Sequence, residues 1–238
     1  MALVRTHQEL AYSPVSRATI QDHVLGKLRE LIQNGGIEPG RTVTVQSLAE
    51  AFGVSAMPVR EAMHRLVAEK ALTIVAGRSV GIPPLTLDRL EDLRRVRVEV
   101  EGTAAKWAAQ LISSEEMVHL ERLMEEMHLA GQKNDRTRYV PANRDFHFTV
   151  YRAAGSETLL SIIESLWLQI GPYINLLTRS NNWGPSAVQH QAIFTALQRR
   201  DQAAARNALQ SDINGAARAL SHVLSESEPQ GKIRARRA

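Results

Sequence analysis

Cysteine is absent from the chain, which excludes disulfides, thiolate metal sites and a cysteine nucleophile. No apolar run approaches the length needed to span a bilayer. The first twenty residues, MALVRTHQELAYSPVSRATI, also lack the continuous apolar stretch of a secretory signal. A cytoplasmic protein with no membrane partner is therefore expected. There is no βαβ alternation and no Gly-rich phosphate loop, which speaks against a nucleotide-dependent enzyme. A concentrated positive charge is missing as well. The net charge is +4, but residues 1–85 hold nine Lys/Arg against seven Asp/Glu, residues 86–228 sixteen against eighteen, and residues 229–238 four against none. The basic tail KIRARRA (232–238) thus carries the whole excess. It reads as a disordered end that either adds nonspecific attraction to phosphate or only keeps the protein in solution.

What is present is a pattern. Residues 41–83, RTVTVQSLAEAFGVSAMPVREAMHRLVAEKALTIVAGRSVGIP, spell a helix, a tight turn, a second helix and a short hairpin. Thr44 caps a helix starting at Val45, and Leu48, Ala49 and Phe52 give that helix one apolar side. Gly53 ends it, since a residue without Cβ takes the left-handed conformation of a sharp stop. Ser55 is a second N-cap, and Pro58 falls in the first turn of the next helix, where its missing N–H costs little. Val59, Ala62, Met63, Leu66 and Val67 form the buried stripe there. Ala56, Met57, Arg60, Glu61, His64 and Arg65 remain on the face and N-terminal end that enter a groove. Recognition helices read base edges near their N-termini, and Arg60 suits either a bidentate contact to guanine or a phosphate contact. Leu72–Val75 and Ser79–Ile82 are the strands of a wing, with Gly77 in the turn and Arg78 at the tip.

EPG (38–40), LAEAFGVS, PVREAMHRL and the GRSVGI wing resemble the N-terminal reading head of the GntR family of bacterial transcription regulators, over roughly residues 15–83. The amphipathic helix formed by Ile20, Val24, Leu25, Leu28, Leu31 and Ile32 also matches that head. The family commonly has Arg and Thr between the GVS turn and the Pro, where this chain has Ala56 and Met57. The resemblance makes the Arg position a DNA contact. Ala56 therefore removes one polar base contact and leaves more to Arg60, Gln46 and the wing. The expected DNA-binding set is Gln46, Ser55, Ala56, Met57, Arg60, His64, Arg65, Gly77 and Arg78, facing a palindromic operator.

Pro83-Pro84 mark a boundary, because two prolines neither continue a strand ladder nor sit deep in a helix. Residues 86–228 read as helical, broken at Ser113-Ser114, Gly131 to Asp135, Gly155-Ser156, Asn181 to Pro185 and Arg200-Asp201. The expected architecture is mainly α: a winged helix-turn-helix followed by an antiparallel bundle of about six helices, with the tail from residue 229. The expected apolar stripes are Leu90, Leu93, Val96, Val100, Ala104, Trp107 and Leu111; then Val118, Leu120, Leu123, Met124 and Met127; then Leu160, Ile163, Leu166, Trp167 and Ile170.

Four polar residues of this half fall on inward faces. Asn143 and His147 stand at i and i+4 beside Val140, Val150 and Tyr151. His190 is in line with Ile193, Phe194 and Leu197, and Asp212 lies between Leu209 and Ala216. Buried polar groups need partners. Either these four bond to one another, or they converge on a divalent cation such as zinc, nickel or manganese.

RVRVEVEGTAAKWAA, NRDFHFTVYRAAGS and QHQAIFTALQRRDQAAARNAL resemble the FCD ligand-binding domain of the FadR-like subfamily. The resemblance implies a metal held at Asn143, His147, His190 and Asp212. The family pattern is departed from twice, with Asn in place of the first carboxylate and Asp in place of the last His. It also implies a pocket role for Arg97, clamping a small carboxylate effector, whereas spacing alone equally allows an ion pair with Glu101. The function implied is a homodimeric, ligand-responsive transcription regulator, in the commoner arrangement a repressor. The alternatives are a metal-dependent enzyme using His147, His190 and Asp212, or an architectural DNA-binding protein with no effector.

Overall fold

Local signals in the first eighty residues build a winged helix, in the computed structural model, which describes residues 20–76, 79–177 and 184–227. Helix α1 (Ile20–Gln33) lies against α3 (Ala56–Ala68), and α2 (Val45–Phe52) completes the three-helix core. Thr44 caps α2 by accepting from the Ser47 amide, with Ser47 returning the bond, and Gly53 ends it at φ 65°. Ser55 stands at the N-cap position of α3 with extended backbone, but its hydroxyl makes no capping bond. The expectation of a second side-chain cap is corrected to that extent. Ile20, expected on the apolar side of α1, is 66% exposed at the helix end.

The wing is one strand richer than the sequence pattern suggests. β2 (Thr73–Ala76) and β3 (Ser79–Gly81) form the expected hairpin, and β1 (Thr42–Thr44) pairs antiparallel with β3 to give the order β1-β3-β2. Gly77, Arg78 and the tail KIRARRA lie outside the described residues.

Six helices follow, at the breaks the sequence marks: α4 (Leu87–Leu111), α5 (Ser114–Gln132), α6 (Arg136–Ala153), α7 (Glu157–Leu177), α8 (Gly184–Gln198) and α9 (Gln202–Ser227). Their caps are local. Thr86 accepts from the Arg89 amide, Ser113 forms a capping box with Glu116, and the Asp135 carboxylate accepts from the amides of Thr137 and Arg138. The small run Ala104, Ala105, Ala108 and Ala109 is fully buried and lets α4 run close along its neighbours. The other half of the predicted α4 stripe is not core: Val96, Trp107 and Leu111 are 42%, 43% and 62% exposed. Apolar residues occupy two adjacent sides of α4, and only one meets the bundle. Val118 on α5 is likewise exposed.

Head and bundle are not separately cored. One apolar cluster runs from Leu28, Ile32 and Leu66 of the head through Leu85 into Leu90, Leu93, Leu168, Ile170, Tyr173 and Leu220 of the bundle. Each such buried side chain contributes roughly 1.5–3 kcal/mol relative to exposure. Polar ties seal the seam. The Arg89 guanidinium donates to the carbonyls of Pro83 (3.1 Å) and Pro84 (3.0 Å), the Tyr173 hydroxyl donates to the Pro83 carbonyl, and Asn175 Nδ2 donates to the Gln33 carbonyl at 3.0 Å. Gly35, at φ 75°, would bring a Cβ to 2.9 Å of Asn175 Nδ2; only glycine lets the turn after α1 sit there.

Candidate functional site

Two sites emerge. On the head, Met57, Arg60 and His64 follow one another at helical spacing along the exposed side of α3, with Ser55 and Gln46 also exposed and Ala56 half-buried. Arg60 and His64 make no hydrogen bond or ion pair among the described residues. Two members of the exposed face turn elsewhere. Glu61 accepts from Gln21 on α1, and Arg65 lies 3.8 Å from Asp22 on the same helix. Gln46 donates to Glu50 at 2.8 Å along α2. The face of α3 left open to a groove is thus Met57, Arg60 and His64.

In the bundle, a cavity of about 360 Å³ is walled by α4, α6, α7, α8 and α9, and among its lining residues are Arg97, Asn143, His147, Asn175, Asp212 and Arg218. Three of the expected metal ligands come together at its edge, His147 and Asp212 lining it and His190 packed against His147. His147 Nε2 lies 3.3 Å from His190 Nε2 and 3.5 Å from Asp212 Oδ2, and donor atoms of the three residues all lie within 4.8 Å of one another. Bonds of 2.0–2.1 Å to a tetrahedral ion put neighbouring ligands about 3.3 Å apart, so the two short separations fit a first-row divalent metal. Asn143 lines the same cavity.

The hydrogen-bond pattern decides which nitrogen of His147 faces inward. Tyr151 gives its single hydroxyl proton to Glu101, an acceptor. At 3.4 Å from His147 Nδ1, the Tyr151 oxygen can only accept. The proton is then on Nδ1 and a lone pair on Nε2, aimed at His190 and Asp212. Glu101, fully buried, also receives Trp167 Nε1 at 3.1 Å and the Arg97 guanidinium, with Nε to Oε1 at 2.5 Å and Nη2 to Oε2 at 3.2 Å. Arg97 makes the ion pair with Glu101 that its spacing allows, through one edge of the guanidinium, and the residue also lines the cavity. Periodicity placed Tyr151 and Trp167 among core residues, and nothing in the sequence joined them to Glu101 across three helices. The one local hint was Tyr151 at i+4 from His147.

Electrostatics follow from burial. Desolvation holds His147 well below the ordinary imidazole range, with His190 and Arg97 pushing the same way, and it lowers His190 to about 4. Burial raises the Asp212 carboxyl to about 7, against the pull of Arg97 and with the Glu101 charge adding to the rise. Two neutral imidazoles and a carboxyl that sheds its proton near neutrality form a donor set with the chemistry of a cation site.

A winged helix presenting an exposed recognition face, joined by a common core to a helical bundle with a cavity that carries a cluster of polar groups, defines a DNA-binding transcription regulator. The chain belongs to the gntR family of bacterial regulatory proteins, whose model matches residues 20–82, and carries an FCD domain over residues 92–215. It is 28% identical over 187 residues to the HTH-type transcriptional regulator McbR of Escherichia coli, covering 76% of this chain and 84% of that protein. It is also 30% identical over 211 residues to the HTH-type regulator BphR of Paraburkholderia xenovorans, covering 82% of each. The HTH-type transcriptional repressor RspR of E. coli is 24% identical over 184 residues, covering 76% of this chain and 80% of that protein. The solved structure of E. coli McbR superposes with a TM-score of 0.81 at 25% identity, over 87% of this chain and 99% of that one. These relatives are regulators, and the enzyme alternative falls with that finding. Among the described residues no helix is long and apolar enough to cross a membrane.

Proposed function

We propose that the chain is a ligand-responsive repressor whose bundle binds a small carboxylate through a divalent metal held by His147, His190 and Asp212, with Asn143 beside them. The observation that carries this reading is the convergence of those three side chains from three different helices, two of them, His147 and Asp212, lining a cavity large enough for a metabolite. A bound metal would supply a Lewis-acidic centre for a carboxylate oxygen. Arg97 and Arg218 offer positive charge on the same cavity.

Two features support a route from cavity to head. Asn175 lines the cavity and holds the Gln33 carbonyl at the end of α1, so a ligand that recruits its amide competes with the head for it. Tyr173, two residues before it, grips the linker at Pro83. A homodimer is supported by the exposed apolar residues of α4, Val96, Trp107 and Leu111. A second copy would cover them, and two-fold symmetry would set two recognition helices about 34 Å apart on a palindrome. Repression agrees with the relative RspR, a transcriptional repressor.

The test is a titration of operator DNA with the protein in chelator, with zinc, nickel or manganese alone, and with metal plus a panel of carboxylates. Metal bound as purified, together with a carboxylate that shifts operator affinity by about 5- to 150-fold, is the expected result. A chain that takes up no metal and whose DNA affinity no carboxylate moves is the architectural protein instead.

A further inference from the structure

The DNA-facing stripe of α3 begins with a residue that has no ordinary hydrogen-bonding capacity. Met57 is 60% exposed in the first turn of α3, and on its other side that turn packs Pro58 and Val59 into the head core. Nothing in the free protein explains an unbranched thioether standing in water beside Arg60 and His64. Ala56 before it is small and half-buried, which lets a base edge approach the helix closely. The Ser55 hydroxyl, released from capping, is free to meet a phosphate.

The major groove offers one apolar feature on its base edges, the C5-methyl group of thymine. Against every other edge a methionine would strip water from donors and acceptors and return nothing. We infer that Met57 reads a thymine methyl in each operator half-site, next to the base pair or phosphate engaged by Arg60. Sequence selectivity at that position is then apolar, unlike the bidentate polar readout an Arg would give there. The inference rests on α3 being the recognition helix.

The experiment starts by selecting operator from random duplexes with the full-length chain, then replaces each thymine of the half-site by deoxyuridine, which removes the methyl group and nothing else. Affinity is measured for wild type, Met57→Ala, Met57→Leu and Arg60→Ala, with thermal melting to check that folding is intact. Wild type is expected to lose about three- to tenfold at one thymine per half-site. Met57→Ala is expected to lose a similar factor on the normal operator and to be indifferent to deoxyuridine at that thymine, while Met57→Leu retains part of the discrimination. If no thymine responds in wild type, or if the deoxyuridine penalty is undiminished in Met57→Ala, the inference is overturned. If Arg60→Ala binds like wild type, the recognition helix itself is misassigned, an outcome separate from loss of methyl reading alone.

Discussion

On α3 the groups proposed to meet DNA stand in water: Met57, Arg60 and His64 are exposed, and the last two have no side-chain bond to give up among the described residues. In the bundle the counterpart groups are sealed in, with Arg97, His147 and His190 only 5%, 4% and 2% exposed and each tied to others. DNA is a large, rigid ligand whose phosphates supply most of the affinity, so its reader needs shape and a few open side chains. A small ligand must win its binding energy from a few convergent groups, and holding those ready costs the free protein desolvation. Substitutions on the first surface should therefore change affinity and leave stability alone, whereas substitutions in the second should change both.

The largest effect is expected from His147→Ala. It removes one of two imidazoles and should lower zinc or nickel affinity at least about a hundredfold by calorimetry, leaving metal-free operator binding close to wild type. Retained affinity would mean the ion, if bound, sits elsewhere. Arg60→Ala should cost about 10- to 100-fold in operator affinity, in keeping with 1–3 kcal/mol for a good base contact, while its melting temperature stays at the wild-type value. A fall in both would erase the contrast between the two surfaces.

Asp212 sharpens the comparison through pH. In metal-free protein the folded chain keeps His190 neutral down to about pH 4 while the unfolded chain protonates it near 6.5, and His147 is held low in the same sense. Acidification below 6.5 therefore draws the chain toward the unfolded state. Asp212 acts oppositely: folded it takes a proton near pH 7, unfolded only near 3.8, so acidification through that window stabilises the fold. Asp212→Asn should raise metal-free stability at pH 8 by roughly 1–3 kcal/mol, make the loss below pH 6.5 steeper, and weaken metal binding by less than His147→Ala does. Thermal melts across pH in chelator check all three. The smallest effect belongs to Asn175→Ala, which should cost about 1 kcal/mol in stability and weaken the response of operator affinity to ligand. An undiminished response would place the signal path outside α7.

Much of this was legible because it is local. The cap at Thr44, the stop at Gly53 and the breaks between α4 and α9 are written in adjacent residues, and the inward faces of His147, His190 and Asp212 follow from helical periodicity. What was not legible depends on residues distant in the chain. β1 is three residues long and exists because β3, some 38 positions later, pairs with it. The exposure of Val96, Trp107 and Leu111 could not be read from an apolar stripe that spans two sides of α4. Glu101 became a hub behind the cavity, next to Arg97, only when α6 and α7 brought Tyr151 and Trp167 to it.

The continuous core across Pro83-Pro84 has a consequence for exchange of parts between relatives. A graft made at those prolines would separate Leu28 and Ile32 from Leu168, Ile170 and Tyr173, leaving oily surfaces on both pieces. Swapping operator specificity by transplanting the whole head therefore requires carrying the underside of α1 to match the recipient's α7. Transplanting only the outward residues of α3 does not. Exposed positions such as Met57 can change without disturbing that seam, which constrains head and bundle together.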